Sequence, residues 1–88
     1  MSTAVATTFA LGAAAPAMAA IAYVEGGKWN YGVNSESVWS YYDHDSKKHK
    51  SSAVGQIVYP SGCAAAGAPA RASGPKARFN NQSYYGFC

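Results

Sequence analysis

The pattern of apolar and polar positions changes character near residue 22. From Met1 to Ala22 the chain carries no charge, and small apolar residues run without a period around Phe9-Ala10-Leu11 before Pro16. Beyond that point the pattern alternates. Lys28-Trp29-Asn30-Tyr31-Gly32-Val33 sets Trp29, Tyr31 and Val33 on one side of an extended chain, the period-two signal of a half-buried strand. Asn34-Ser35 reads as a turn, and Glu36 to Tyr42, with Val38-Trp39-Ser40-Tyr41-Tyr42, reads as a second strand. The polar stretch Asp43 to Ser52 predicts a loop, and Ala53 to Tyr59 a third strand ended by Pro60-Ser61-Gly62. Further short strands are predicted at Ala70 to Ser73, at Ala77 to Phe79 and at Ser83 to Phe87, with Asn80-Asn81 as a turn. Five or six short strands without helical periodicity point to an all-β protein, a small antiparallel β-sandwich.

The uncharged opening has the apolar region and small-residue sites of a secretory signal peptide, with A-x-A sites at Ala17-Met18-Ala19 and Ala20-Ile21-Ala22. The expectation is therefore a leader over residues 1–22, cut after Ala19 or Ala22, and a mature domain over 23–88. A basic start is missing from Met1-Ser2-Thr3, which suggests a natural start further upstream. The apolar stretch is too short and too rich in alanine for a membrane span, which needs about 20 strongly apolar residues. The protein is expected outside the cell, with no transmembrane span in its mature form.

Composition sharpens this. From Tyr23 onward there are eleven aromatic residues but only six branched aliphatics, Val24, Val33, Val38, Val54, Ile57 and Val58, and neither Leu nor Met. A domain of this size buries only about 60% of its unfolded surface, so rings have to supply most of the core. The net charge of +3 biases the protein toward anionic partners such as phosphates and anionic lipids, but is too weak for a nucleic-acid binder. Cys63 and Cys88 are expected to pair in an oxidising compartment; free thiols and a bridge between two chains are the other readings.

Candidate chemistry is sparse. Asp43, His44, Asp45 and His49 match no zinc spacing and sit among lysines, so no metal is expected. No G-x-S-x-G elbow exposes a nucleophile and a bridged cysteine cannot attack, so neither catalytic residues nor a cofactor are expected. Lys47, Lys48 and Lys50 beside Trp39, Tyr41 and Tyr42 suit a surface that meets phosphate and lipid together, or simply a solvated loop.

Four segments in order resemble the lactococcin 972 family of bacteriocins: Gly27-Lys28-Trp29-Asn30-Tyr31-Gly32, then Trp39 to Ser51, then Ala70-Arg71-Ala72, then Ser83-Tyr84-Tyr85-Gly86-Phe87. The resemblance implies an exported antibacterial polypeptide with a small antiparallel β-sandwich fold. It further implies action on cell-wall and septum synthesis in related Gram-positive cells through lipid II, and a homodimer. A cysteine pair is a departure from the family's prototype. Within this reading Trp39, Tyr41, Tyr42, His44, Lys47, Lys48 and His49 are the expected target-binding residues. The alternative is a secreted envelope or protein-binding β domain that kills nothing.

Overall fold

The computed structural model describes residues 18–88 and, as backbone, Val5–Phe9. The described residues form no helix and eight strands: β1 (Val5–Phe9), β2 (Met18–Val24), β3 (Gly27–Val33), β4 (Ser37–Asp43), β5 (His49–Val54), β6 (Val58–Pro60), β7 (Pro69–Pro75) and β8 (Asn81–Phe87). They make two antiparallel sheets of four, ordered β1-β8-β5-β6 and β2-β3-β4-β7, which pack face to face as a β-sandwich. Six of the strands, β3 to β8, lie wholly in the expected mature domain. Of the expected leader, residues 1–4 and 10–17 lie outside the described residues, while Met18 to Ala22 form most of β2 at the edge of the second sheet.

Local sequence explains the corners. Val24 pairs with Gly27 across a two-residue turn in which Glu25 and Gly26 both have positive φ, 50° and 85°. Two positive φ angles are what a twisted hairpin turn requires, and Gly26 adopts its angle without steric cost. At the next corner the Asn34 carboxamide accepts from the backbone N–H groups of Glu36 (2.8 Å) and Ser37 (2.7 Å), closing the predicted turn.

Three expectations are corrected. The polar stretch after Asp43 is a loop only as far as Lys48; His49, Ser51 and Ala53 point inward from β5. The run Ala53 to Tyr59 is a tight hairpin, with Gly55 N–H bonded to Ile57 O (3.0 Å) between β5 and β6. Ala77 to Phe79 is not a strand, because the Asn81 side chain bonds both the N–H (2.7 Å) and the carbonyl (3.0 Å) of Ala77 and holds the segment as a closed loop.

The interior is filled as the composition requires. One cluster holds Val33, Val38, Ala53 and Ala72, with Tyr31 and Tyr59 against it. The other is a stack of rings: Trp29, Tyr42, Tyr85 and Phe87. Trp29 and Tyr85 lie 5.0 Å apart between centroids, and Tyr42 and Tyr85 4.6 Å apart.

Serines join the two sheets. Ser51 Oγ–H lies 2.8 Å from Ser40 O and 3.0 Å from Ala70 O, Ser83 donates to Trp39 O (2.8 Å), and Ser40 donates to Tyr84 O (2.7 Å) while accepting from the Trp29 indole (2.9 Å). Among the described residues no buried side-chain nitrogen or oxygen lacks a partner. Cys63 and Cys88 form a disulfide, Cα atoms 6.2 Å apart, that ties the chain end to the segment between β6 and β7. In the chain-entropy model such a loop stabilises the fold by roughly 3–4 kcal/mol.

Candidate functional site

The expected target-binding residues divide among three places. Tyr42, His44 and His49 are inside, at one end of the sandwich, while Trp39 and Tyr41 are half-buried on the outer face of the second sheet. Lys47 and Lys48 are exposed in the loop between β4 and β5.

The division follows from the period of β4. Val38, Ser40 and Tyr42 face the core, so Trp39, Tyr41 and Asp43 face outward.

At the buried end each polar group has a fixed partner. Tyr42 O–H donates to Val24 O (2.8 Å), and Tyr85 O–H donates to the Glu25 carboxylate (2.7 Å). The His44 Nδ1 accepts from the N–H groups of Ser46 (3.2 Å) and Lys47 (3.1 Å), which leaves Nε2–H to donate to Glu25 O (3.1 Å). Thus one imidazole shapes the β4–β5 loop and locks the β2–β3 turn to it. His49 reaches Lys47 O (2.8 Å) through Nδ1 and Ala68 O (2.7 Å) through Nε2. Backbone bonds from His49 to Ala64 and from Gly67 to His44 fasten the segment after Cys63 over both rings. These histidines act through the fold: each is nearly or wholly enclosed, and every ring nitrogen is occupied.

The two buried phenols hold their protons tightly. Burial, followed by the nearby Glu25 charge, pushes Tyr42 up from 10.0 to about 12. Burial, then the hydrogen bond to Glu25 and the charges of Glu25 and Tyr42, pushes Tyr85 to about 12 as well.

The exposed features are of another kind. Lys47 Nζ lies 5.3 Å from the centre of the Phe87 ring, which holds the ammonium at the surface beside the chain end. On the outer sheet face, Trp39 donates its indole N–H to Asn30 Oδ1 (2.9 Å), and the Arg71 guanidinium lies 5.5 Å from the centre of the Tyr41 ring. Sequence reasoning missed Asn30 and Arg71, because only the strand register brings Asn30, Tyr41 and Arg71 into one row across β3, β4 and β7. An open concavity of about 510 Å³ at the edge of this face is lined by Tyr23, Gly26, Gly27, Lys28, Asp43 and Asp45. With two carboxylates to one ammonium, it is poorly matched to an anion. Among the described residues no group of His, Cys, Asp or Glu is arranged to hold a metal ion.

Two outcomes follow. His49→Ala should cost about 2–4 kcal/mol in chemical denaturation, from lost buried hydrogen bonding and a cavity, while Lys47→Gln with Lys48→Gln should stay within about 0.5 kcal/mol of the parent. Because the folded phenols are raised above their unfolded value, their contribution to stability is complete below pH 10.0 and lost as the pH climbs to about 12. The denaturation midpoint should fall across that window, and Glu25→Gln, by lowering the folded-state values, should shrink the fall and end it at lower pH.

The site's residues fall inside a matching family model. Residues 25–85 match the model described as Bacteriocin (Lactococcin_972), which covers well over half of the chain and all of β3 to β7. A search of the curated proteins and of the solved structures returns no match. The chain, with its ring-filled sandwich and its outward-facing Trp39 and Tyr41, belongs to the lactococcin 972 family of bacteriocins.

Proposed function

We propose that this bacteriocin is exported and inhibits cell-wall and septum synthesis in related Gram-positive bacteria by binding lipid II at the target membrane. One observation carries the reading beyond the family. The disulfide-closed sandwich offers solvent two ammonium groups, Lys47 and Lys48, in the β4–β5 loop at one end and an aromatic strip, Trp39 and Tyr41, on one face. A lipid-linked wall precursor joins an anionic pyrophosphate to sugars at a lipid surface. Lysines contribute charge-assisted hydrogen bonds to the pyrophosphate oxygens and are drawn to the anionic leaflet. The protein acts as a binder in this reading, without a catalytic step. Its contacts come from the lysines, Trp39 and Tyr41, while Tyr42, His44 and His49 hold the loop that carries the lysines.

Removal of the leader takes β1 from the edge of the first sheet and shortens β2 at the edge of the second. Cleavage after Ala19 keeps Ala20 to Val24 paired with Gly27 to Tyr31, whereas cleavage after Ala22 keeps only Tyr23 and Val24. Either cut retains Val24 and Glu25, which receive the hydrogen bonds of Tyr42, Tyr85 and His44. The cut after Ala19 also keeps Ala22 against the ring cluster. Among the described residues no helix is long and apolar enough to cross a membrane.

The test is growth of a panel of Gram-positive strains with the oxidised protein, with and without added lipid II. The expected result is arrested septation that lipid II relieves, and roughly tenfold weaker killing by the Lys47→Gln, Lys48→Gln variant, for the loss of about 1.4 kcal/mol of phosphate contact. Killing that lipid II does not relieve would overturn the target, and absence of killing at any strain would overturn the antibacterial role of this chain.

A further inference from the structure

The indole of Trp39 lies close against β3. Register places Trp39 of β4 directly opposite Gly32 of β3, with Asn30 two residues further along β3. A Cβ on Gly32 would lie 2.6 Å from Trp39 Cζ2, so the missing side chain is what lets the indole come this close to β3. The Nε1–H bond to Asn30 Oδ1 (2.9 Å) then fixes its rotation. The ring lies against Gly32 and keeps part of its surface in solvent, so Trp39 is half-buried in an outward-facing row.

Polar groups frame that exposed surface. Ser73 of β7 lies opposite Trp39, and Arg71 lies opposite Tyr41. Tyr41 extends the aromatic strip along β4 by two residues, roughly 7 Å. Arg71 is exposed, touches the Tyr41 ring, and has no carboxylate partner among the described residues.

We propose that this face is a saccharide-binding platform, on which a pyranose bearing an acidic substituent stacks against Trp39 with its anionic group toward Arg71. An immobilised ring presents its electron-rich face, which attracts the C–H face of a sugar. The hydroxyls at the edge of the sugar need partners in the plane around the ring, and the Asn30 amide, the Ser73 hydroxyl and the Arg71 guanidinium stand there. A lipid chain or an apolar protein surface would desolvate those groups without replacing their hydrogen bonds. The unpaired Arg71 charge selects an acidic sugar over a neutral one. In the lipid-linked wall precursor the lactyl carboxyl of the muramoyl ring is taken up in the peptide amide, so the anionic group toward Arg71 is the pyrophosphate at C1; the assignment rests on the function proposed above and deepens it.

The test is calorimetric titration of the full oxidised chain with two soluble probes, the acidic disaccharide N,N′-diacetylchitobiose 1-phosphate and neutral N,N′-diacetylchitobiose (chitobiose below), alongside lipid II in detergent. The acidic disaccharide should bind saturably and more tightly than chitobiose. Trp39→Ala should weaken both by roughly tenfold or more, since each stacked ring contributes on the order of 1–3 kcal/mol. Arg71→Gln, an exposed change that leaves the fold intact, should weaken only the acidic disaccharide and erase the preference. Asn30→Ala should weaken both by freeing the indole. Absence of binding to either disaccharide, or equal binding by Trp39→Ala, would overturn the platform. So would self-association that Trp39→Ala abolishes without any sugar binding. Lipid II bound with neither sugar bound would sink the platform and leave the proposed target standing. Sugars bound with lipid II ignored would do the reverse.

Discussion

Tyr42 holds the sandwich together at its most crowded point. Its ring meets Tyr85, Phe87, His44 and His49, with centroids 4.6 to 6.2 Å away, and its hydroxyl reaches across to Val24 O. A chain with so few aliphatic side chains has to build its core from rings, and rings with polar tips bring a second requirement: each tip must end on a partner. Meeting it ties the β2–β3 turn, the β4–β5 loop and the segment after Cys63 to one cluster. The same logic holds between the sheets, where serine hydroxyls bond backbone carbonyls of the opposite layer. Polar groups in this interior thus contribute cohesion that a larger aliphatic core would supply elsewhere, and the disulfide closes the loop that covers them.

This constraint also sorts the functional residues. The period of β4 commits Tyr42 to the core and Trp39 and Tyr41 to solvent, and the needs of the core consume both histidines. What is left to meet a target is the outer sheet face and the lysine-bearing loop. The two regions are rigid for different reasons: Trp39 is held by Gly32 and Asn30, and the lysine loop by the His44 ring. A target that meets these two regions finds them preorganised, which reduces the ordering cost of binding.

Much of this was legible in the sequence where alternation was strong. The β3 and β4 strands, the Asn34 turn, the C-terminal strand, the cysteine pairing and the all-β class all follow from local patterns. The family resemblance rested on the same segments. The start of β5 was not legible, because His49-Lys50-Ser51-Ser52 has the composition of a loop. Its burial depends on carbonyls such as Ala68 O, 19 residues away in sequence, that satisfy the imidazole. Asn30 and Arg71 escaped notice for a related reason: neither is unusual alone, and only cross-strand register sets them around the aromatic strip. Local propensity reads elements well, but it does not reveal which polar side chains find partners on another strand.

The central claim is that target recognition lies on the outer sheet face and the lysine loop, with the histidines serving the fold. Its most direct measurement is an NMR titration of isotope-labelled protein with lipid II in micelles, following backbone amides and the indole and imidazole signals together. The account predicts that the shifts gather at Trp39, Asn30, Tyr41, Arg71, Lys47 and Lys48, with the Trp29 indole and the His49 ring unchanged. Shifts centred on the His44 and His49 rings, with the Trp39 indole unmoved, would contradict it.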